Sequence, residues 1–160
     1  MNNIDELKST VVSYDETKNT MTIEWVGIIE LDEFKNGMKS VLEQTKMLPY
    51  FNVIVNYNKM GDISAEARVW YQDFLLRDEG NEFLLRVKKF AVIKPSGMMP
   101  RLIVNSFMDY YMGIFPNLNY HQFVYKHVAD EWIMSDSHVF KTYFSSLTSF
   151  IPNRLKLKSA

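Results

Sequence analysis

FNVIVNYNKMGDISAEARVW, residues 51–70, decides how the whole chain is read. It opens on residues 51–55, a near-continuous apolar run of the kind that fills a strand buried on both faces. Residues 56–63 are mostly polar, carry Gly61 and read as a loop. Ser64 then opens a helix whose inner side holds Ala67, Trp70, Tyr71, Phe74 and Leu75 at three- and four-residue spacing. A buried strand running through a polar segment into an amphipathic helix is the building unit of α/β domains. Ligands and partners gather at such crossings.

Upstream, residues 9–14 (STVVSY) and 21–28 (MTIEWVGI) flank the polar turn at residues 15–19, which is the pattern of a β-hairpin. Met21, Ile23 and Trp25 fall on one face, and Thr22, Glu24 and Val26 on the other. Gly27 marks a bulge or a close backbone approach. From Glu30 the period changes, with Leu31, Phe34, Met38, Val41, Leu42 and Thr45 forming a helical stripe. Glu30, Asp32 and Glu33 suit its first turn, where the helix dipole favours negative charge, and Pro49 limits its far end. Gly37 inside the stripe lets the helix lie close to the sheet.

Downstream, residues 77–80 interrupt the second helix and residues 81–86 read as a further helical turn. Residues 89–94 (KFAVIK) are a third buried strand, closed by Pro95, Ser96 and Gly97. Pro100 suits the first turn of a helix carrying Leu102, Ile103, Phe107, Tyr110 and Tyr111. Residues 120–125 (YHQFVY) alternate as a last strand, and residues 130–134 form a short helix around Trp132. This order predicts an α/β fold with a four- to five-stranded, mostly parallel sheet, an antiparallel N-terminal hairpin and helices mainly on one face. An extra C-terminal helix is expected over residues 137–150, where Val139, Phe140, Tyr143, Phe144 and Leu147 form a stripe. Residues 1–150 therefore read as one domain and residues 151–160, with Lys156 and Lys158, as a short basic tail.

Composition narrows the function classes. The chain has 160 residues, 47% apolar and 23% charged, with a formal net charge of −1, so no field favours nucleic acid or an anionic membrane. It contains no cysteine, which removes disulfides, thiolate metal sites and cysteine nucleophiles and fits a reducing cytoplasm. MNNIDELK lacks the basic region and apolar core of a signal peptide, and no run reaches the ~20 apolar residues of a membrane span. A cytoplasmic location is expected. Eleven Phe, nine Tyr, three Trp and ten Met fill irregular cores, and also build adaptable binding surfaces.

Four segments together resemble a known family: YDETKNTMTIEWVG, EFKNGM, NKMGDISAEARVW and KKFAVIKP. In this order they are similar to the SpoIIAA-like branch of the STAS domains, small stand-alone bacterial proteins. The most specific part is the run Met60, Gly61, Ile63, Ser64 and Glu66, and the likeness covers about residues 9–135. The resemblance implies regulatory contact with a protein partner, as in anti-sigma-factor antagonists, or binding of a small apolar ligand. It also implies a phosphorylated serine at the start of the helix after the third strand, the place that Ser64 occupies. The antagonists' pattern is Asp-Ser with glycine shortly after, whereas this chain reads Asp62-Ile63-Ser64-Ala65-Glu66 with its glycine before the serine.

The candidate partner surface is therefore Asn58, Lys59, Met60, Gly61, Asp62, Ser64 and Arg68. Ser64 has two readings, a helix N-cap and a phosphorylation site. The neighbouring carboxylates of Asp62 and Glu66 favour the cap, because they would repel a phosphate. Trp70, Phe74, Phe107, Tyr110 and Tyr111 are candidates to line an apolar pocket, or are simply core. His121 and His127, six apart on or beside the expected last strand, are too widely spaced to share a metal, and His138 stands apart. No nucleophile elbow or glycine-rich phosphate loop occurs, and Asp32-Glu33 and Asp78-Glu79 read as solvated helix positions. The expectation is a non-enzymatic regulatory or interaction module without cofactor; the alternative is a carrier or sensor of a lipid-like ligand. The stripe at residues 139–147 must be covered by its own domain or by a second chain in a homodimer, and same-chain contact costs no association entropy.

Overall fold

The computed structural model describes residues 5–7 and 9–135. The expected helix at residues 137–150, the basic tail and His138 lie outside the described residues. Among the described residues six strands and five helices follow one another: β1 (Asp5–Leu7), β2 (Thr10–Asp15), β3 (Thr20–Ile29), α1 (Leu31–Thr45), β4 (Phe51–Ile63), α2 (Ala65–Leu75), α3 (Asp78–Leu85), β5 (Val87–Ile93), α4 (Met98–Ile114), β6 (Tyr120–Phe123) and α5 (Lys126–Met134). They form one sheet in the order β1-β2-β3-β4-β5-β6. β1, β2 and β3 pair antiparallel, and β3 to β6 pair parallel. The sheet thus has six strands where four to five were expected, because the three-residue β1 is too short to show a period.

Strands β3 to β6 follow one another without reversal, so right-handed crossovers place every connecting helix on the same face. One core lies there. Met21, Ile23, Trp25, Val53, Val55, Phe90 and Val92 from the sheet meet Phe34, Val41, Phe74, Phe83, Val104 and Tyr111 from α1 to α4. Among the described residues α5 alone covers the second face, where Ala129, Trp132 and Ile133 pack on Ile54, Ala91, Ile93 and Phe123. α5 begins at Lys126, four residues before the expected start, and β6 ends at Phe123 with Val124 and Tyr125 exposed.

Two glycines bear out their sequence reading. A Cβ on Gly37 would lie 2.8 Å from the Trp25 ring and 3.0 Å from Thr10 Cγ2, so α1 rests on the sheet at that point. Gly27 has φ +72° and sits at a register shift in β3, where the left-handed backbone favours glycine. The helix ends are completed by side chains. Glu33 accepts from the Glu30 amide at the head of α1 (3.3 Å), and Arg86 Nη1 donates to the carbonyls of Thr45 (2.8 Å) and Leu48 (3.0 Å) at its tail.

Candidate functional site

Residues 56–63 are not a loop; they continue β4 to a length of 13 residues. Two bulges account for this. Between Glu24 and Val26 of β3 the partners on β4 advance from Asn56 to Lys59, and between Gly27 and Ile28 they advance from Met60 to Asp62. Each step puts an extra residue into β4, which twists the strand and re-aims its side chains. Buried positions then recur every third residue: Tyr57, Met60 and Ile63 are all 4% exposed or less. Asn58, Lys59, Gly61 and Asp62 face solvent.

This stretch outgrows the sheet. β5 pairs with β4 only as far as Asn56 opposite Ile93, and β2 with β3 only as far as Thr10 opposite Trp25. One more bond, from the Val26 amide to the Ser9 carbonyl (2.9 Å), ends the contact on the β2 side. Beyond that bond, among the described residues, residues 26–29 and 59–63 pair only with each other, as a two-stranded parallel ribbon. The Ser64 amide donates to the Ile29 carbonyl (3.0 Å) and ties the ribbon to the head of α2.

Local polar groups hold the ribbon's shape. Asn56 Oδ1 accepts from the Asn58 amide (3.0 Å), and Asp62 Oδ1 from the Ile63 amide (2.7 Å). Lys59 Nζ reaches Glu24 Oε1 across the strands at 2.8 Å, and that hydrogen bond and charge hold the ammonium's pKa above its ordinary value. Gly61 is not demanded by space, since a Cβ there would be 3.5 Å from the Gly27 carbonyl, an ordinary contact. Ser64 is the N-cap of α2, its Oγ accepting from the Ala67 amide at 3.3 Å.

The fold therefore brings Asn58, Lys59, Gly61, Asp62 and Arg68 to one exposed region around a half-buried Ser64, while Met60 is core. Two members were missed. Val26 and Ile28 are 36% and 64% exposed on the partner strand of the ribbon, and the apolar run around Gly27 is the signal that could have found them. The sheet itself offers no crevice, because the order of its parallel strands never reverses.

The aromatic residues sit elsewhere. Phe74, Phe107 and Tyr111 are buried around Tyr71, which has ring centroids at 6.2, 5.5 and 5.6 Å from them, while Trp70 stacks on Phe74 at 5.2 Å. Trp70 and Tyr110 are half-buried at the margin of this core. The space beside them is open: a depression of about 270 Å³ between α2 and α4, edged by Arg68, Val69, Ile103 and Phe107, and one of about 420 Å³ over Val69 and Trp70. His121 lies on β6, and His127 lies just beyond it in the first turn of α5. The His121 ring lies 5.2 Å from Trp132, and that of His127 5.7 Å from Tyr125. Among the described residues no three His, Asp or Glu side chains gather at metal-binding distance, and no helix is long and apolar enough to cross a membrane.

No protein-family model and no curated protein sequence matches the chain. Solved structures do. One is an uncharacterised protein of the DUF3478 family with a SpoIIAA-like fold from Shewanella loihica PV-4, with TM-score 0.56 and 14% identity over 78% of this chain and 92% of that one. Another is the anti-sigma factor antagonist SpoIIAA in its unphosphorylated form, with TM-score 0.46 and 12% identity over 79% of this chain and 100% of that one. The first likeness gives this chain a SpoIIAA-like fold.

Proposed function

We propose that this chain is a non-enzymatic regulatory module that binds a protein partner through the ribbon and the head of α2. The observation that carries the reading is the ribbon itself: residues 26–29 and 59–63 extend past their neighbouring strands, with Ile28, Asn58, Lys59 and Asp62 exposed there and Arg68 exposed in the first turn of α2. Exposed apolar side chains ringed by charge are the usual composition of a contact patch. The bulges and Lys59 argue against simple strand addition along the open edge, since both are devices that discourage it. Side-chain contact with a shaped partner surface is the mode that remains.

Ser64 has a defined place in this reading. Its hydroxyl lies between ribbon and helix, so a phosphate there would bring negative charge into the middle of the patch. The test is capture from extract of the native cell on immobilised protein. Lys59→Glu and Arg68→Glu are expected to lose the captured partner, whereas Asn36→Lys, on an exposed position of α1, keeps it. Equal capture by all of them would remove this surface from consideration.

A further inference from the structure

α2 and α4 share one face of the sheet and, between them, the depression of about 270 Å³. α2 contributes Arg68, Val69 and Gln72 to it, and α4 contributes Ile103, Ser106 and Phe107. Spacings of three and four residues place each set on one side of its helix. On α4 that side continues towards the N-terminus through Leu102 and Met99, which are 57% and 63% exposed. Val69 and Met98 are exposed as well, at 60% and 75%. A scattered exposed apolar residue needs no explanation, but several gathered along one groove mark a contact site.

The charge along this strip has one sign. Residues 83–108 contain no Asp or Glu. Arg68 lines the groove, exposed and without an ion pair among the described residues. Arg101 is exposed next to Leu102, and its Nε donates to the Pro95 carbonyl (2.8 Å), which holds it at the head of α4. The carboxylates of α2, Glu66 and Asp73, edge the neighbouring depression over Trp70 instead. An apolar strip bordered by guanidinium groups complements an apolar surface bordered by carboxylates.

We propose that this groove is a second part of the partner contact and receives an amphipathic helix of the partner, with Asp and Glu bordering its apolar stripe. The inference rests on the ribbon reading above, with which it shares Arg68. A groove between two packed helices suits the stripe of a third, whose anchors recur every three or four residues. A free small molecule ordinarily loses about 70–90% of its surface in its pocket, which an open depression does not offer. Side chains carried on a partner helix need no such enclosure.

The test places a photoreactive phenylalanine at Leu102 of the full chain in the native cell, with the same residue at Asp62 and at Ile28 in parallel. The expected adduct from position 102 is to the protein caught from 62 and 28. It falls in a segment whose apolar residues recur at helical spacing and whose Asp and Glu outnumber Lys and Arg. That segment, synthesised, is expected to bind purified protein about tenfold more weakly after Arg68→Glu with Arg101→Glu, and more weakly as salt is raised. Adducts from 62 and 28 with none from 102 would overturn the groove and leave the ribbon contact standing, whereas silence at all three would remove both. An adduct to a basic or extended segment, to lipid or to a small molecule would overturn the proposal. So would a synthetic segment indifferent to the two charge reversals.

Discussion

Lys59 Nζ stands 2.8 Å from Glu24 Oε1, joining the two strands of the ribbon at the point where β4 takes its first extra residue. Lys59 is well exposed, so the pair shapes the patch more than it stabilises the fold. Lys59→Ala is therefore expected to leave the melting temperature essentially unchanged while weakening partner capture. The raised ammonium pKa makes its contribution present below the lysine's unfolded value and lost only as pH rises through the folded one. Melting of wild type and variant should accordingly run in parallel from about pH 6 to about pH 9.

Gly37→Ala is expected to destabilise the domain by about 1–3 kcal/mol, because the added methyl meets the Trp25 ring and Thr10 inside a closed core. This outweighs the gain of about 1 kcal/mol that alanine brings to a helix interior. Urea unfolding measures the difference. Equal stability would mean that α1 can move off the sheet at no cost.

Lys89→Met keeps the apolar stem but removes the donor shared by Trp132, Ile133 and Ser135. A loss of about 1–3 kcal/mol is expected, with faster amide exchange concentrated in α5. Exchange that rises evenly through the whole sheet would point to a global effect instead of a local latch.

Burial raises the phenol pKa of both Tyr57 and Tyr71. Unfolded, each phenol ionises near pH 10, while in the fold it stays neutral, so their neutral-form stability is present below pH ~10 and falls as pH rises beyond it. The slope is about 1.4 kcal/mol per pH unit for each tyrosine. Denaturant midpoints between pH 9 and 11 check this, and Tyr71→Phe should make the decline shallower.

Most of the architecture was legible because its signals are periodic. The stripe from Leu31 to Thr45 and the apolar runs at residues 51–55 and 89–93 lie where α1, β4 and β5 form. The second half of β4 was not legible, since its two bulges replace the strand period of two by a spacing of three at Tyr57, Met60 and Ile63. Asn56, Asn58, Gly61 and Asp62 then look like turn residues, which is why the stretch reads as a loop. Lys89 was invisible for a related reason: a lysine within a strand reads as a surface residue until α5 is known to end against it. Ser64, whose signal is purely local, was read correctly as a cap.

Ser64→Ala is expected to cost about 1 kcal/mol through loss of the cap, and Ser64→Asp almost nothing, because aspartate also caps. If Ser64→Asp binds the partner less well than Ser64→Ala despite being the more stable of the two, charge at this position governs contact. Thermal melts and capture on the same samples separate the two effects.

The most direct test of the proposed contact surface is photo-crosslinking in the native cell, with a photoreactive phenylalanine placed at Asp62, at Ile28 or, as control, at Asn36. Adducts to the same protein from positions 62 and 28, and none from position 36, are the expected result. No adduct from either ribbon position, or the same adducts from all three, would contradict it.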